Sequence, residues 1–238
     1  GPMNTLFGLG VGPGAPDLLT VRAADILRRV PVVVGPRPRN GEESLAARIA
    51  KPHLGAHSVV EELTFPMVRD PQALRSAWTE AARRILSWLE SGDVAFLTLG
   101  DASLYSTWTY LRAAIQDLDP GQKVETVPGI TSFAACAART ERALAEGDQV
   151  LLVVPWAADA DRPWLEDALR DGASAAFLKV ADRLSGLDAL LRRSGRTGSV
   201  LGTRLTLPDE TIHPGWQNDP SGSSGYLAVA LSSAEEAP

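Results

Sequence analysis

The chain has 238 residues, enough for one large domain or two small ones, and carries 23 Lys and Arg against 29 Asp and Glu, a formal net charge of −6. With 45% hydrophobic and 22% charged residues it has the composition of an ordinary globular protein, which excludes wholesale disorder and a coiled coil. The acidic balance argues against a surface built to neutralise many phosphates, so no nucleic-acid partner is expected.

Short β-rich runs alternate with helical patterns from end to end, the signature of an α/β protein with mostly parallel strands. The first unit reads as a strand over residues 5–11, a Gly/Pro turn and a helix over 18–29. Residues 31–35 and 58–63 read as strands flanking a short helix at 43–50, with an arginine- and glycine-rich connection at 36–42. The helix at 71–91 has the clearest period: Leu74, Trp78, Ala81, Ile85 and Trp88 recur every three or four residues, Pro71 sits at its start and Gly92 follows it. Residues 94–99 (VAFLTL) form an apolar run too short for a helix, which fits a strand buried on both faces. A helix at 106–116, a strand at 123–127 and a small-residue helix at 130–139 complete the first half.

The pattern then restarts with strands at 149–155, 175–180 and 199–203, helices at 163–171 and 184–193, and a final strand at 226–231. Residues 214–225 are polar and rich in Gly, Ser and Pro, and read as a mobile loop. The restart predicts two α/β lobes, residues 3–127 and 128–238, with mostly parallel sheets and an active-site cleft between them. Gly1-Pro2 before Met3 reads as an expression-tag scar outside the fold.

Cys136 is the single cysteine, and His53, His57 and His213 have no cysteine near them, so neither a disulfide nor a metal site is expected and a reducing cytoplasm is. The three histidines read as surface residues without partners. No apolar run reaches the ~18–20 residues of a membrane span, so no membrane partner is expected.

Four segments fall where an open α/β sheet binds ligands, beyond the carboxyl ends of strands. The first is GLGVGPG at 8–14. It lacks the Lys-Ser/Thr ending of a phosphate loop, Pro13 interrupts a dinucleotide fingerprint, and a plain tight turn competes with both. The others are LGDASLY at 99–105, VPGITS at 127–132 and RLTLPDE at 204–210. Together, and in this order, they resemble the tetrapyrrole methylase family, S-adenosylmethionine (SAM)-dependent enzymes of cobalamin and sirohaem synthesis. Residues 36–46 (PRPRNGEESLA), FPM at 65–67 and FLTLGD at 96–101 running on to LYST at 104–107 are similar to the branch that methylates C20 of precorrin-2. One residue departs from the family pattern, Ala102 where Gly-Asp-Pro is usual, and a looser turn is expected there.

The resemblance implies a tetrapyrrole substrate, SAM as methyl donor, no metal cofactor and a homodimer. For the donor it implies Leu99, Gly100, Asp101, Tyr105, Thr131 and Ser132 in the first lobe and its boundary. In the second lobe it implies Pro155, Trp156, Leu178, Lys179, Leu205 and Thr206. Each has a plainer reading: Asp101 as a turn aspartate, Thr131 or Ser132 as a helix cap, and the second-lobe residues as strand-end packing. For the tetrapyrrole it implies Gly10, Gly12, Pro13 and Gly14. The substrate's eight carboxylates call for arginine; Arg37 and Arg39 are the leading candidates, with Arg22, Arg69, Arg112, Arg139 and Arg204 behind them. Methyl transfer to an electron-rich ring carbon needs positioning more than a nucleophile, and a base only to take the ring proton; water, Asp101 and Tyr105 are the candidates. A methylase of another corrin carbon or of the cobalt-bearing substrate, and a non-catalytic binder with the same fold, remain competing readings.

Overall fold

In the computed structural model, residues 3–37, 43–65, 69–157, 161–222, 225 and 227–234 are described. The chain divides into two compact units, one ending at Thr131 and the other beginning at Ser132.

The first unit is a five-stranded, wholly parallel sheet in the order β3-β2-β4-β1-β5. Its strands are β1 (Thr5–Gly10), β2 (Val32–Pro36), β3 (Val59–Leu63), β4 (Val94–Thr98) and β5 (Lys123–Val127). Alternation along the strands sends side chains to two separate cores. Leu6, Val34 and Phe96 face α3 (Pro71–Leu89) and α4 (Trp108–Leu118), whereas Phe7, Leu9, Val33 and Leu97 face α1 (Val21–Arg29) and α2 (Leu45–Ala50). Both faces are therefore covered, as a parallel sheet requires. Asp70 caps α3 by accepting from the Gln72 amide at 3.2 Å, and Pro71 occupies the first helical position, where its missing N–H costs nothing.

The helix expected over 18–29 is split. A single 3-10 turn, Pro16–Leu18, precedes α1, and the extended Thr20 starts the helix proper with its Oγ1 accepting from the Ala23 amide at 3.0 Å. A threonine that can cap a helix competes with the backbone for that bond, and here it wins. His53, expected to lack a partner, bonds the Pro16 carbonyl through Nε2 at 2.7 Å.

The second unit holds α5 (Ser132–Thr140), β6 (Leu151–Pro155), α6 (Pro163–Arg170), β7 (Ser174–Leu178), α7 (Leu184–Arg193), β8 (Val200–Thr203), β9 (Thr211–His213) and β10 (Ala228–Ser232). Its sheet order is β6-β7-β10-β8-β9. Among the described residues only β6 and β7 pair in parallel here; β10 is antiparallel to both neighbours, and β8 and β9 are antiparallel. The expectation of a mostly parallel sheet fails in this unit because β10 inserts between β7 and β8 antiparallel to both, and the short connection from β8 to β9 reverses the chain. The strand β9 was not expected, and β10 starts two residues later than read; Tyr226 lies outside the described residues.

The segment read as a mobile loop is stitched down at its described start. Trp216 and Gln217 are buried in it. Gln217 donates through Nε2 to Asp188 and to the Arg196 carbonyl, both at 3.0 Å, and its Oε1 accepts from the Ser199 amide at 3.1 Å and from the Ser199 hydroxyl. Arg192 reaches the Gln217 carbonyl at 2.7 Å while its Nε engages Asp188 at 3.0 Å. Polar composition gave the appearance of a solvated loop, yet these groups are spent on one another.

Candidate functional site

In the N-terminal unit three of the four sequence motifs meet backbone to backbone. Gly12 and Gly100 form an isolated bridge, Gly12 N–H donating to the Gly100 carbonyl at 3.1 Å and Gly100 N–H to the Gly12 carbonyl at 2.8 Å. Gly12 has φ +79° and Gly100 +71°, conformations that side chains disfavour. A Cβ on Gly129 would stand 2.3 Å from the Gly100 carbonyl oxygen and 2.7 Å from the Gly10 carbonyl carbon. The ends of β1, β4 and β5 thus converge at a junction that only glycine permits.

Asp101 ties this junction together: Oδ1 accepts from the Gly129 amide at 2.9 Å and Oδ2 from the Ser103 amide at 3.1 Å. It is a turn aspartate in its local bonds, and in addition a strut between the loops that follow β4 and β5. The loop is fixed at its far end too, where Thr98 and Ser106 share a buried hydroxyl pair at 2.8 Å and Ser106 Oγ accepts from the Trp108 amide at 3.0 Å. The looser turn expected from Ala102 is not found, since Ala102 is fully buried in the α3 and α4 core and its neighbour Asp101 makes both bonds. Tyr105 stands out from this clamped loop, 52% exposed and with φ +49°. Leu99, Gly100 and Thr131 are half-buried, whereas Gly10, Gly12, Pro13 and Gly14 are buried.

In the C-terminal unit β6 runs parallel to β7, and β7 and β8 both run antiparallel to β10, so the carboxyl ends of β6, β7 and β8 share one end of the sheet. The second-lobe candidates follow these ends. Trp156, however, is 5% exposed, donates through Nε1 to the Arg183 carbonyl at 3.1 Å and packs edge-on to Phe177. Leu205 is equally committed: it is 3% exposed, and a Cβ on Gly202 would stand 2.8 Å from its Cδ2. These side chains pack the core, which leaves backbone groups to face any ligand. Pro155, Leu178 and Ser132 are half-buried, and Lys179 is exposed.

Backbone strain concentrates at the strand ends. Of the six non-glycine residues with left-handed φ among the described residues, four fall in the candidate loops: Tyr105, Lys179, Arg204 at +48° and Thr206 at +66°. Each such residue costs about 1–3 kcal/mol and persists only where its surroundings over-determine it, and a β-branched residue such as Thr206 is the least tolerant.

Arginines expected to await a carboxylate-rich substrate have partners in the fold. Arg37 lies 3.5 Å from Glu62, Arg22 lies 3.6 Å from Glu125, Arg204 Nε donates to Asp209 at 2.5 Å, and Arg139 Nε donates to both oxygens of Glu210 at 3.0 Å. The Arg37 and Arg22 pairs are open to solvent and leave the cations free to exchange. Arg39 lies outside the described residues; Arg69 and Arg112 are exposed. Burial pushes the Cys136 thiol up to about 11, with a smaller push from Glu210 working against a pull from Arg142. Among the described residues no group of three or more His, Cys, Asp or Glu could hold a metal ion, and no helix is long and apolar enough to cross a membrane.

Sequence reasoning missed Gly129 as the third member of the junction and Glu210 as the partner of Arg139. Neither role can be read locally, because Arg139 lies 71 positions from Glu210 and Gly129 packs against Gly10 and Gly100, which are distant in sequence.

The model of the tetrapyrrole (corrin/porphyrin) methylases matches residues 5–216. The cobalt-precorrin-2 C(20)-methyltransferase of Salmonella typhimurium is 39% identical over 207 residues, 86% of this chain and 85% of the relative. The precorrin-2 C(20)-methyltransferase of a Sinorhizobium species is 31% identical over 82% of this chain and 80% of its own. The uroporphyrin-III C-methyltransferase of Thermus thermophilus, solved with S-adenosyl homocysteine, superposes with a TM-score of 0.66 at 20% identity, covering 97% of each chain. A family match running from β1 to the buried Trp216, together with relatives similar over most of their length, makes this chain a member of the tetrapyrrole methylase family.

Proposed function

We propose that this protein transfers the methyl group of SAM to C20 of precorrin-2, giving precorrin-3A and S-adenosylhomocysteine. The observation that carries this reading is the 39% identity to a C20-methyltransferase over 86% of the chain. That relative's name favours the cobalt-bearing substrate, and the 31% identical relative's name the metal-free one; the cobalt, where present, belongs to the substrate.

When bound, SAM supplies an electrophilic methyl group on a sulfonium. The residues present suit such a ligand. Its zwitterion and adenosine call for backbone polar groups and a few hydroxyls, and each unit has strand-end loops that supply them, at Leu99 and Thr131 in the first and at Ser132 and the Thr206 turn in the second. Asp101 serves by position: it fixes the loop after β4 against Gly129 and so sets where that loop's backbone groups point. The Gly10–Gly14 loop serves in the same way, since its Gly12 amide and carbonyl are spent on Gly100. Tyr105, half exposed in the same loop as Asp101, is the side chain we assign to contact with the substrate. Arg37, on the chain leaving β2, offers a guanidinium that can trade Glu62 for a substrate carboxylate.

We propose a cytoplasmic homodimer as the working form, on the strength of family membership and a lone buried thiol; sedimentation velocity tests the second point. The chemistry is tested by incubating the protein with methyl-13C SAM and either precorrin-2 or cobalt-precorrin-2 and locating the label by NMR. Label at C20 supports the proposal, and label at another ring carbon or binding without turnover refutes it.

A further inference from the structure

The carboxylate of Glu210 faces two ways. Its Oε1 accepts from the Thr206 amide at 3.3 Å, and both its oxygens accept from Arg139 Nε on α5. The Glu210 side chain is only 12% exposed, although the Arg139 side chain that meets it is more than half exposed. The turn it holds carries two left-handed non-glycine residues, Arg204 at φ +48° and Thr206 at +66°, two positions apart. Other tethers surround it. The Arg204 amide donates to the Leu227 carbonyl at 3.2 Å, the Leu207 amide to the Arg204 carbonyl at 3.1 Å, and Leu205 is sunk against Gly202 and the Cys136 core. None of these bonds reaches the Thr206 amide. Glu210 is the side chain that does, and Arg139 fixes Glu210.

We infer that Glu210, oriented by Arg139, is a positioning residue that keeps the left-handed Thr206 turn in the form that receives the methyl donor. The inference rests on the proposed use of SAM and names how this chain maintains one of its donor-facing loops. A residue held in a conformation its side chain disfavours reverts when its restraint is removed. Replacing the restraint lets the turn relax while leaving the reacting groups in place. The loss therefore falls on donor affinity and not on the rate at saturation.

The test uses the full chain and measures S-adenosylhomocysteine binding by calorimetry, together with kcat and the KM for each substrate. Glu210→Ala is expected to weaken binding and raise the KM for SAM at least tenfold, with kcat within threefold of the parent. Glu210→Gln keeps an acceptor for the Thr206 amide and is expected to recover most of the affinity. Thr206→Gly added to Glu210→Ala is the decisive variant. Glycine adopts φ +66° without strain, so the double variant is expected to regain at least threefold of the lost affinity, which a merely stabilising Glu210 would not produce. If Glu210→Ala binds as the parent does, if the double variant regains nothing, or if kcat falls as far as kcat/KM, the inference is overturned. If the parent itself binds no S-adenosylhomocysteine, the proposed use of SAM fails first and this inference with it.

Discussion

Replacing Gly129 with alanine probes the glycine junction where the three N-terminal motifs meet. The new methyl would lie 2.3 Å from the Gly100 oxygen, 1.1 Å short of the 3.4 Å at which ordinary contact begins, and the atoms it meets are backbone, which cannot swing aside. Relief requires the end of β4 to move away from the loop after β5 by about that distance. Such a shift stretches the reciprocal Gly12 and Gly100 bonds, now 3.1 and 2.8 Å, past hydrogen-bonding range. Two bonds at about 1 kcal/mol each, plus about 2 kcal/mol of overpacking strain, give a loss of about 4 kcal/mol. The same unit offers two controls. Gly100→Ala meets nothing nearer than 3.9 Å and bears only the cost of φ +71°, about 1–2 kcal/mol. Gly121→Ala meets Asp119 Oδ1 at an ordinary 3.6 Å and is expected to be near neutral. Calorimetric unfolding of the three variants, with hydrogen exchange of β1, β4 and β5 peptides to locate the damage, should rank them in that order. If Gly129→Ala costs no more than Gly100→Ala, the junction is not close-packed and the reasoning fails.

Gly8→Ala sets a Cβ 2.1 Å from the fully buried Trp108 indole, which Thr126 holds through its Nε1 at 2.9 Å; a loss of about 3 kcal/mol is expected, and adding Trp108→Leu should recover part of it. Asp101→Ala removes the acceptor for both the Gly129 and Ser103 amides and is expected to weaken SAM binding at least tenfold, about 1.4 kcal/mol, with Asp101→Asn intermediate by calorimetry. Cys136 titrates near 11 in the folded chain against 9.0 for a free thiol, so the folded state holds its proton more tightly. The stabilisation is complete below pH 9 and is lost as pH rises through 11, up to about 3 kcal/mol in all; urea unfolding of Cys136→Ala should show a correspondingly shallower alkaline decline.

Much of this fold was legible because periodicity is local. The strand VAFLT of β4 and the Trp78 and Ile85 stripe of α3 declare themselves within a few residues. What escaped depends on partners. Thr20 breaks a helix whose apolar pattern runs through it, and β9 is three residues long, too short to show alternation. The motifs themselves were visible, but not that Gly10, Gly100 and Gly129 touch, nor that Trp156 and Leu205 turn inward while their backbones stay at the strand ends. Net charge misled in a similar way: several arginines that seemed available for a polyanion are engaged by the acidic residues responsible for the −6.

The place of β10 gives the two units different histories during synthesis. All five strands of the first sheet lie within the first 127 residues, so that sheet can close while the ribosome is still translating the second unit. The second sheet cannot, because the strand at its centre, paired with both β7 and β8, is the last in chain order. Until it emerges, β7 and β8 each present an open apolar edge, the kind of surface that invites misassembly. A released chain truncated just short of residue 228 would therefore have a finished first sheet and a second one split down the middle.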